Sequence, residues 1–359
     1  MRVVFLGHPI PDETIYGIYL MSTEPGAATW RVDALRLLSK HSFAGNVYVP
    51  VSESDSQLDE AARLAWQESA LNQADCVLAP SSSAMTSGWD LGKYWHRAKV
   101  ILSADNANEL ANAPGISTLE DACRDAAKER GELRRGGECQ VPLDVWRTES
   151  FQAWHHAQKS AGNVLHGARV EWIFRIAPAT VLFWALRVDI EVREEGRRKS
   201  NEVVVRRPDV ATVVLYRSGS DWLDTEVVLV REFRSPACTP DAYIWELPSG
   251  SPRRRGQEAD AAVREVKEET GLAIDAARFR FHESRQLVGP LSVHKAHVFS
   301  VELTEEEMAA LRAQEVANTT HGVAAETEVT AIRVRKLGDV FAAPFADWST
   351  LGILAAVLR

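Results

Sequence analysis

The feature that most constrains this chain is a change of rhythm along it. Through residues 1 to about 125, short apolar runs alternate with stretches of helical spacing. Val3 to Leu6 is an apolar run closed by Gly7, Trp30 to Leu38 is helical, Asn46 to Val49 is rich in β-formers, and Leu58 to Leu71 is helical again. Cys76 to Ala79 is apolar between Asp75 and Pro80, Asp90 to Arg97 reads as helix, Val100 to Leu102 as strand, and Leu119 to Lys128 as helix. Strands alternating with helices of this length predict βαβ units and a doubly wound parallel sheet of the flavodoxin-like kind. Ligands of such sheets sit beyond the carboxyl ends of the strands. That rule puts Gly7-His8-Pro9 and Pro80-Ser81-Ser82-Ser83 at the expected mouth.

The rhythm then breaks. Residues 126–165 open on a charged, glycine-rich run from Lys128 to Glu138 and read as a linker. From Arg169 the chain is strand-rich, with runs at Val170 to Arg175, Thr180 to Val192, Glu202 to Arg206, Ala211 to Tyr216 and Glu226 to Val230. One long helix follows, then strands from Phe279 to Val301, a helix over Thr304 to Glu315 and a closing helix over Trp348 to Leu358. Residues 166–359 are therefore expected to form a second, α+β domain.

Composition narrows the class. A length of 359 residues suits two or three domains, and 45% apolar with 25% charged residues is an ordinary soluble mix. A net charge of −9 argues against a nucleic-acid polymer as partner, yet leaves room for a nucleotide at a local anion site. The four cysteines show no CxxC spacing, so no zinc or redox motif is indicated. With Met1 to Gly7 reading as strand and turn rather than a secretion signal, a reducing, cytoplasmic setting is expected. The longest apolar stretch, Ala177 to Leu186, contains Pro178 and is half the roughly 20 residues a span needs, so no membrane segment is expected.

The strongest signal lies between Gly250 and Leu272. Ala259 to Thr270 is made of good helix formers, and Gly271 is a natural stop. Glu265, Glu268 and Glu269 stand at i, i+3 and i+4 and share one helical face. Glu258, seven residues before Glu265, joins that face if the helix starts early. Clustered carboxylates repel one another unless they share a cation, and hard oxygen donors suit Mg²⁺ or Mn²⁺. Arg264 can pair with one of them. A solvated acidic face is the competing reading of the glutamates alone.

The full spacing resembles the box of the Nudix hydrolases, G-x5-E-x7-R-E-U-x-E-E-x-G-U, where U is aliphatic. Gly250, Arg264, Glu265, Val266, Glu268, Glu269, Gly271 and Leu272 match. The first box glutamate falls on Gly256, with Glu258 two residues on as its substitute. The resemblance implies an α/β/α sandwich with a mixed sheet over residues 166–359. It also implies metal-assisted hydrolysis of a nucleoside diphosphate linked to another moiety. Glu265, Glu268, Glu269 and Gly250 are then the expected metal site, with Arg264 beside them. Val230-Arg231-Glu232-Phe233-Arg234 and Trp245-Glu246-Leu247-Pro248-Ser249-Gly250 are similar to segments of the ADP-ribose pyrophosphatase branch. His321 to Glu328 resembles the loop that supplies a catalytic glutamate there, which makes Glu326 and Glu328 candidate bases. Arg231 and Arg234 could grip phosphate or brace a carboxylate; three apart in a strand, they face opposite sides. A homodimer through the strand-rich Arg169 to Arg206 segment is implied by the same branch.

The first 125 residues resemble the nucleoside 2-deoxyribosyltransferase-like family. The segments Phe5 to Pro11, Trp30-Arg31, Trp66-Gln67-Glu68, Ala74-Asp75 and Asp90-Leu91-Gly92 carry the likeness in order. It implies action on an N-glycosidic bond, with Asp90 standing where that family has its catalytic glutamate. Gly7, His8, Asp75 and Ser81 are then candidate substrate contacts, although a strand-start residue satisfying backbone donors is the commoner role for an aspartate placed like Asp75. The expected whole is a bifunctional enzyme. The alternatives are a nucleotide sensor in the first domain regulating one hydrolase, or a ligand-binding relic in the second. His155 and His156 are adjacent and share no helix face, and His294 and His297 make a poor metal pair in a strand.

Overall fold

The computed structural model describes residues 1–14, 16–21, 28–51, 58–81, 99–103, 116–128, 134–177, 180–322 and 329–359. It divides into two compact units, Met1–Arg206 and Arg207–Arg359.

In the first unit six strands form a sheet: β1 (Arg2–Phe5), β2 (Gly17–Leu20), β3 (Asn46–Val49), β4 (Cys76–Pro80), β5 (Lys99–Ser103) and β6 (Ile116–Ser117). Their order is β1-β3-β2-β4-β5-β6 and every pairing is parallel. Helix α1 (Ala28–Lys40) and helix α3 (Leu119–Lys128) cover one face, packing Leu37, Leu38, Ala122 and Cys123 on Ile18, Leu20, Val47 and Leu78. Helix α2 (Glu60–Gln73) covers the other, packing Trp66, Ala70 and Leu71 on Tyr19, Tyr48 and Val77. A parallel sheet with both faces covered is what the alternating rhythm predicts. Strand β2, however, is one the rhythm did not single out, and it lies in the middle of the sheet. It opens on Gly17, where a Cβ would stand 2.5 Å from the Gln73 carbonyl oxygen and 2.9 Å from the Tyr48 ring.

Regular elements occupy much of the 126–165 stretch read as a linker. Arg134–Arg135 pairs with Glu13–Thr14, a tight turn follows over Gly136–Gln140, and two helices form, α4 (Leu143–Trp146) and α5 (Glu149–Ser160). The charge run misled because Arg134 turns inward. It is 2% exposed, and its guanidinium donates to the Val141 carbonyl at 3.2 Å and the Gln73 carbonyl at 3.3 Å. Burial draws its pKa down, opposed by the charge of Asp75. An antiparallel sheet follows, β7 (Val164–Ala177), β8 (Thr180–Val192) and β9 (Arg197–Arg206), in the order β9-β8-β7. By contacts it goes with the first unit, whereas the sequence reading began the second domain at 166. Close packing accounts for this. A Cβ on Gly137 would lie 2.5 Å from the Gly167 amide, Arg175 pairs with Asp144, and Trp184 donates to Ser150 Oγ at 3.3 Å.

The second unit is an eight-stranded mixed sheet between helices. Its strands are β10 (Val210–Arg217), β11 (Glu226–Phe233), β12 (Tyr243–Glu246), β13 (Ser249–Gly250), β14 (Arg280–Gln286), β15 (Lys295–Glu302), β16 (Thr320–His321) and β17 (Thr330–Lys336). The order is β14-β15-β10-β11-β17-β16, with β12 on β11 and β13 on β10. Helices α6 (Glu258–Thr270) and α7 (Glu305–Val316) close one face through Ala261, Ala262, Val266, Met308 and Leu311. Helices α8 (Leu337–Ala342) and α9 (Trp348–Leu358) close the other through Leu337, Val340, Leu351 and Leu354. Among the described residues no helix is long and apolar enough to cross a membrane.

Candidate active site

Helix α6 positions the acidic cluster. Ala261, Ala262 and Val266 form its buried stripe, and Gly271 ends it in the left-handed region at φ 72°. Glu269, three residues after Val266, comes round to the sheet side and is 2% exposed. Glu265 reaches the sheet through a gap that only glycine leaves. Gly250 pairs with Ala211 on β10, and a Cβ at 250 would lie 2.1 Å from the Glu265 carboxyl carbon. Glu269 is tied to the same strand by accepting the Ser249 amide at 3.2 Å. Arg264 binds the cluster from outside. It donates to Glu265 Oε1 at 2.5 Å and to the Ser251 carbonyl at 3.2 Å, and its Nε stands 3.7 Å from Glu268 Oε2.

Three carboxylates, one guanidinium and the 249–251 backbone thus gather at one end of β13. The donors are hard oxygens and Gly250 leaves the space, so the residue set suits a divalent cation. Among the described residues no three carboxylate, imidazole or thiol groups converge on one ion position. Arg264 stands as counter-ion to Glu265 and Glu268, while Glu269 is engaged with Ser249.

The departure at Gly256 has a local cause. Its φ of +84° is strained for any residue with a Cβ. Helix α6 starts at Glu258, so Glu258 lies on the glutamate face as expected, but further along the axis. Its Oε1 accepts the Gly256 amide at 2.9 Å, and seven residues of helix put it about 10.5 Å from Glu265 along the axis.

Arg231 and Arg234 are both engaged with carboxylates. Arg231 lies 3.4 Å over the Tyr243 ring and donates to Asp241 at 2.8 Å. Arg234 holds Glu246 with two bonds, at 3.1 and 2.8 Å, and also faces Glu232 at 2.8 Å. Glu246 and Tyr243 were not singled out from sequence, although Glu246 stands in the Trp245 to Gly250 segment that flagged the family. Glu326 and Glu328 lie outside the described residues. The segment before them is placed: His321 bonds Gln314 at 2.7 Å, and its Cε1 would meet a Cβ on Gly271 at 2.9 Å, beside the end of α6.

The candidates of the first unit scatter. Gly7 and His8 follow β1 at the sheet edge, where the His8 carbonyl accepts Trp66 Nε1 at 2.8 Å. Ser81 and Asp75 flank opposite ends of β4, about 20 Å apart over six residue steps of strand, so one cleft cannot hold both. Asp75 is the strand-start aspartate of the commoner reading: it is buried and accepts the Gly17 amide at 2.9 Å, with burial pushing its carboxyl pKa up. Asp90 lies outside the described residues, as do Ser82 and Ser83. At the carboxyl ends of β4 and β5 the structure places Ser81, Ser103 and, bonded to Ser103 Oγ at 2.9 Å, Trp30 Nε1. Arg31 is beside Trp30, its pKa lowered by burial.

No curated protein matches this chain at the sequence level. A crystal structure of an ADP compounds hydrolase is similar at 18% identity, covering 54% of this chain and 91% of that one, with a TM-score of 0.37. Residues 205–349 match the family model described as NUDIX domain, a span that takes in β10 to β17, the α6 carboxylates and the Gly250 cradle.

Proposed function

We propose that the second unit hydrolyses a nucleoside diphosphate-linked compound of the ADP-ribose or nucleotide-sugar type, with Mg²⁺ or Mn²⁺. The family match over residues 205–349 supports the reaction class. The observation that carries it is the Glu265 carboxyl seated against Gly250, with Arg264, Glu268 and Glu269 around it. Glu265, Glu268, Glu269 and the Gly250 main chain would hold the cation. When bound, it would neutralise the diphosphate and ease deprotonation of water. Arg264 keeps the cluster charge-compensated and aligned. Arg231 and Arg234 act as braces of Asp241 and Glu246 rather than as phosphate grips. Glu326 or Glu328 is the proposed acceptor of the water proton.

For the first unit we propose binding of, or action on, the N-glycosidic part of a related nucleotide, with Asp90 as the reacting carboxylate. A parallel sheet whose order reverses between β2 and β4, as a flavodoxin-like reading expects, and Ser81, Ser103 and Trp30 at its carboxyl ends support this reading. A non-catalytic sensor is its rival. The exposed Trp172, Phe174 and Ile176 on β7, an edge strand, support a homodimer formed through this sheet. The test is a product-resolved screen of nucleoside diphosphate compounds with Mg²⁺. Phosphate-bond cleavage that disappears in Glu269→Gln is the expected result. Cleavage unchanged in that variant overturns the metal assignment. Free base lost in Asp90→Ala supports the coupled step, and no free base from any compound sinks it.

A further inference from the structure

A cavity of about 270 Å³ opens in the first unit between helix α5, the Gly136–Gln140 turn and the first residues of β7. Leu165 and its cross-strand partner Ile190 give it an apolar wall, and Trp154 of α5 adds an indole. Drug-sized ligands take pockets of about 300–1,000 Å³, so this space suits a metabolite smaller than a whole nucleotide.

Its polar border is built from buried groups. Glu138 and His155 both line the cavity, with side chains only 12% and 8% exposed. His155 Nε2 stands 2.8 Å from Glu138 Oε1, and Glu138 Oε2 accepts the Arg135 amide at 2.8 Å. Aromatic rings clamp the imidazole, which stacks on Phe151 at 5.7 Å and lies 5.2 Å from Trp146. A neutral ring that donates from Nε2 carries its lone pair at Nδ1. Among the described residues Glu138 is the hydrogen-bond partner of this ring, which leaves Nδ1 as an acceptor for the cavity.

One turn along α5, Lys159 lines the same cavity. Its Nζ is 3.7 Å from Glu138 Oε1, too far for a hydrogen bond, so its donors remain available. Arg135 adds a second cation, while the one carboxylate between them has both oxygens engaged. His155 and Lys159 stand at i and i+4, with about 5–6 Å between their Cβ atoms. An acceptor and a cation at that spacing match a ligand that carries a hydroxyl and an anion.

We propose that this cavity binds a small hydroxylated anion of the sugar phosphate class, with a ligand hydroxyl on His155 Nδ1 and the phosphate on Lys159. Cleavage of an ADP-ribose-type compound would release such a sugar phosphate, so the site would hold a product. That connection rests on the hydrolase reading; the binding itself does not.

Isothermal titration of the full chain with ribose 5-phosphate, in the absence of Mg²⁺, tests it. Lys159→Met should weaken binding about tenfold or more, through loss of a charge-assisted contact. His155→Gln keeps a donor where Nε2 stands but removes the Nδ1 acceptor, and should cost about fivefold. Glu269→Gln and Asp90→Ala should bind as the wild type does. Ribose alone and inorganic phosphate alone should each bind about tenfold more weakly than the sugar phosphate, because each makes half of the contacts. Absence of binding at millimolar concentration overturns the site, as does affinity unchanged in Lys159→Met. Binding lost in Glu269→Gln or Asp90→Ala places the ligand elsewhere and overturns it too, and inorganic phosphate binding as tightly as the sugar phosphate overturns the ligand class. Should His155→Gln fail to fold, Lys159→Met decides, since that side chain is 62% exposed. A wild-type chain that binds ribose 5-phosphate here but cleaves no diphosphate compound refutes the hydrolase reading and upholds the site.

Discussion

Gly250→Ala separates the cradle from the fold. The added methyl would stand 2.1 Å from the Glu265 carboxyl carbon and 2.2 and 2.5 Å from its oxygens. Ordinary contact begins at 3.4 Å, so the carboxyl must retreat by at least 1.3 Å (3.4 − 2.1). Its atoms are the far end of a flexible side chain, and Gly250 is not among the glycines with positive φ, so the backbone accepts alanine. Stability should therefore fall by less than about 1 kcal/mol, a shift of roughly 2–4 °C in Tm for a chain region of this size. Function should fall far more. A 1 Å misplacement costs about 10²-fold, so kcat on the best diphosphate compound should drop about a hundredfold. The Mg²⁺ concentration giving half-maximal rate should rise. Glu265→Asp withdraws the carboxylate by one methylene, so the alanine should cost less in that background, a non-additivity that a double-mutant cycle reads directly. Full activity with an unchanged Mg²⁺ titration refutes the cradle. So does a loss of activity fully explained by unfolding.

Three further outcomes test the rest. Asp75→Ala leaves the buried Gly17 amide without its acceptor and removes the partner 3.5 Å from Arg147, so the stability of the first unit should drop by roughly 1–3 kcal/mol, as for a buried donor left unsatisfied, while nucleotide affinity of the folded chain stays unchanged; lost affinity would restore Asp75 to a binding role. For Glu138, burial alone would raise the carboxyl, but hydrogen bonds from His155 and the Arg135 amide outweigh it and hold it below 4.5. That stabilisation is present above pH 4.5 and disappears as pH falls through the lowered folded value, so Tm should fall on acidification below 4.5, less steeply in Glu138→Gln; equal slopes contradict it. Trp172→Lys on the exposed end of β7 should convert a dimer to a monomer in sedimentation velocity, and an unchanged sedimentation coefficient removes that surface from the interface.

What could be read from the amino acids depended on whether the signal was spacing or environment. The α6 cluster was legible because helix geometry turns i, i+3 and i+4 into one face, and because a glycine at 250 and another at 271 bracket it at fixed distances. Both flanking helices of the second unit, Glu305–Val316 and Trp348–Leu358, fall within a residue of their expected limits for the same reason: their periodic stretches are long and capped by Thr304 and Asp347. Strand β2 was not legible. Four residues buried on both faces show no alternation, and nothing in Gly17 to Leu20 distinguishes a central strand from any short apolar run. Arg134 misled in the opposite sense. Lying in a charge run, it read as solvated, and only the fold reveals that the Val141 and Gln73 carbonyls receive it.

The same distinction explains the box position that departs from its pattern. Gly256 looks like a lost carboxylate when spacing alone is compared. In the fold, position 256 is a left-handed turn, and the carboxylate two residues later reaches back to its amide. A glutamate placed at 256 would add strain of roughly 1–2 kcal/mol to a turn that glycine makes freely. Glu258, already within the helix, avoids that strain while sitting too far along the axis to serve the cluster at Glu265. The departure therefore concerns how the helix is started and held, and the carboxylates proposed to hold a cation are the three that follow Arg264.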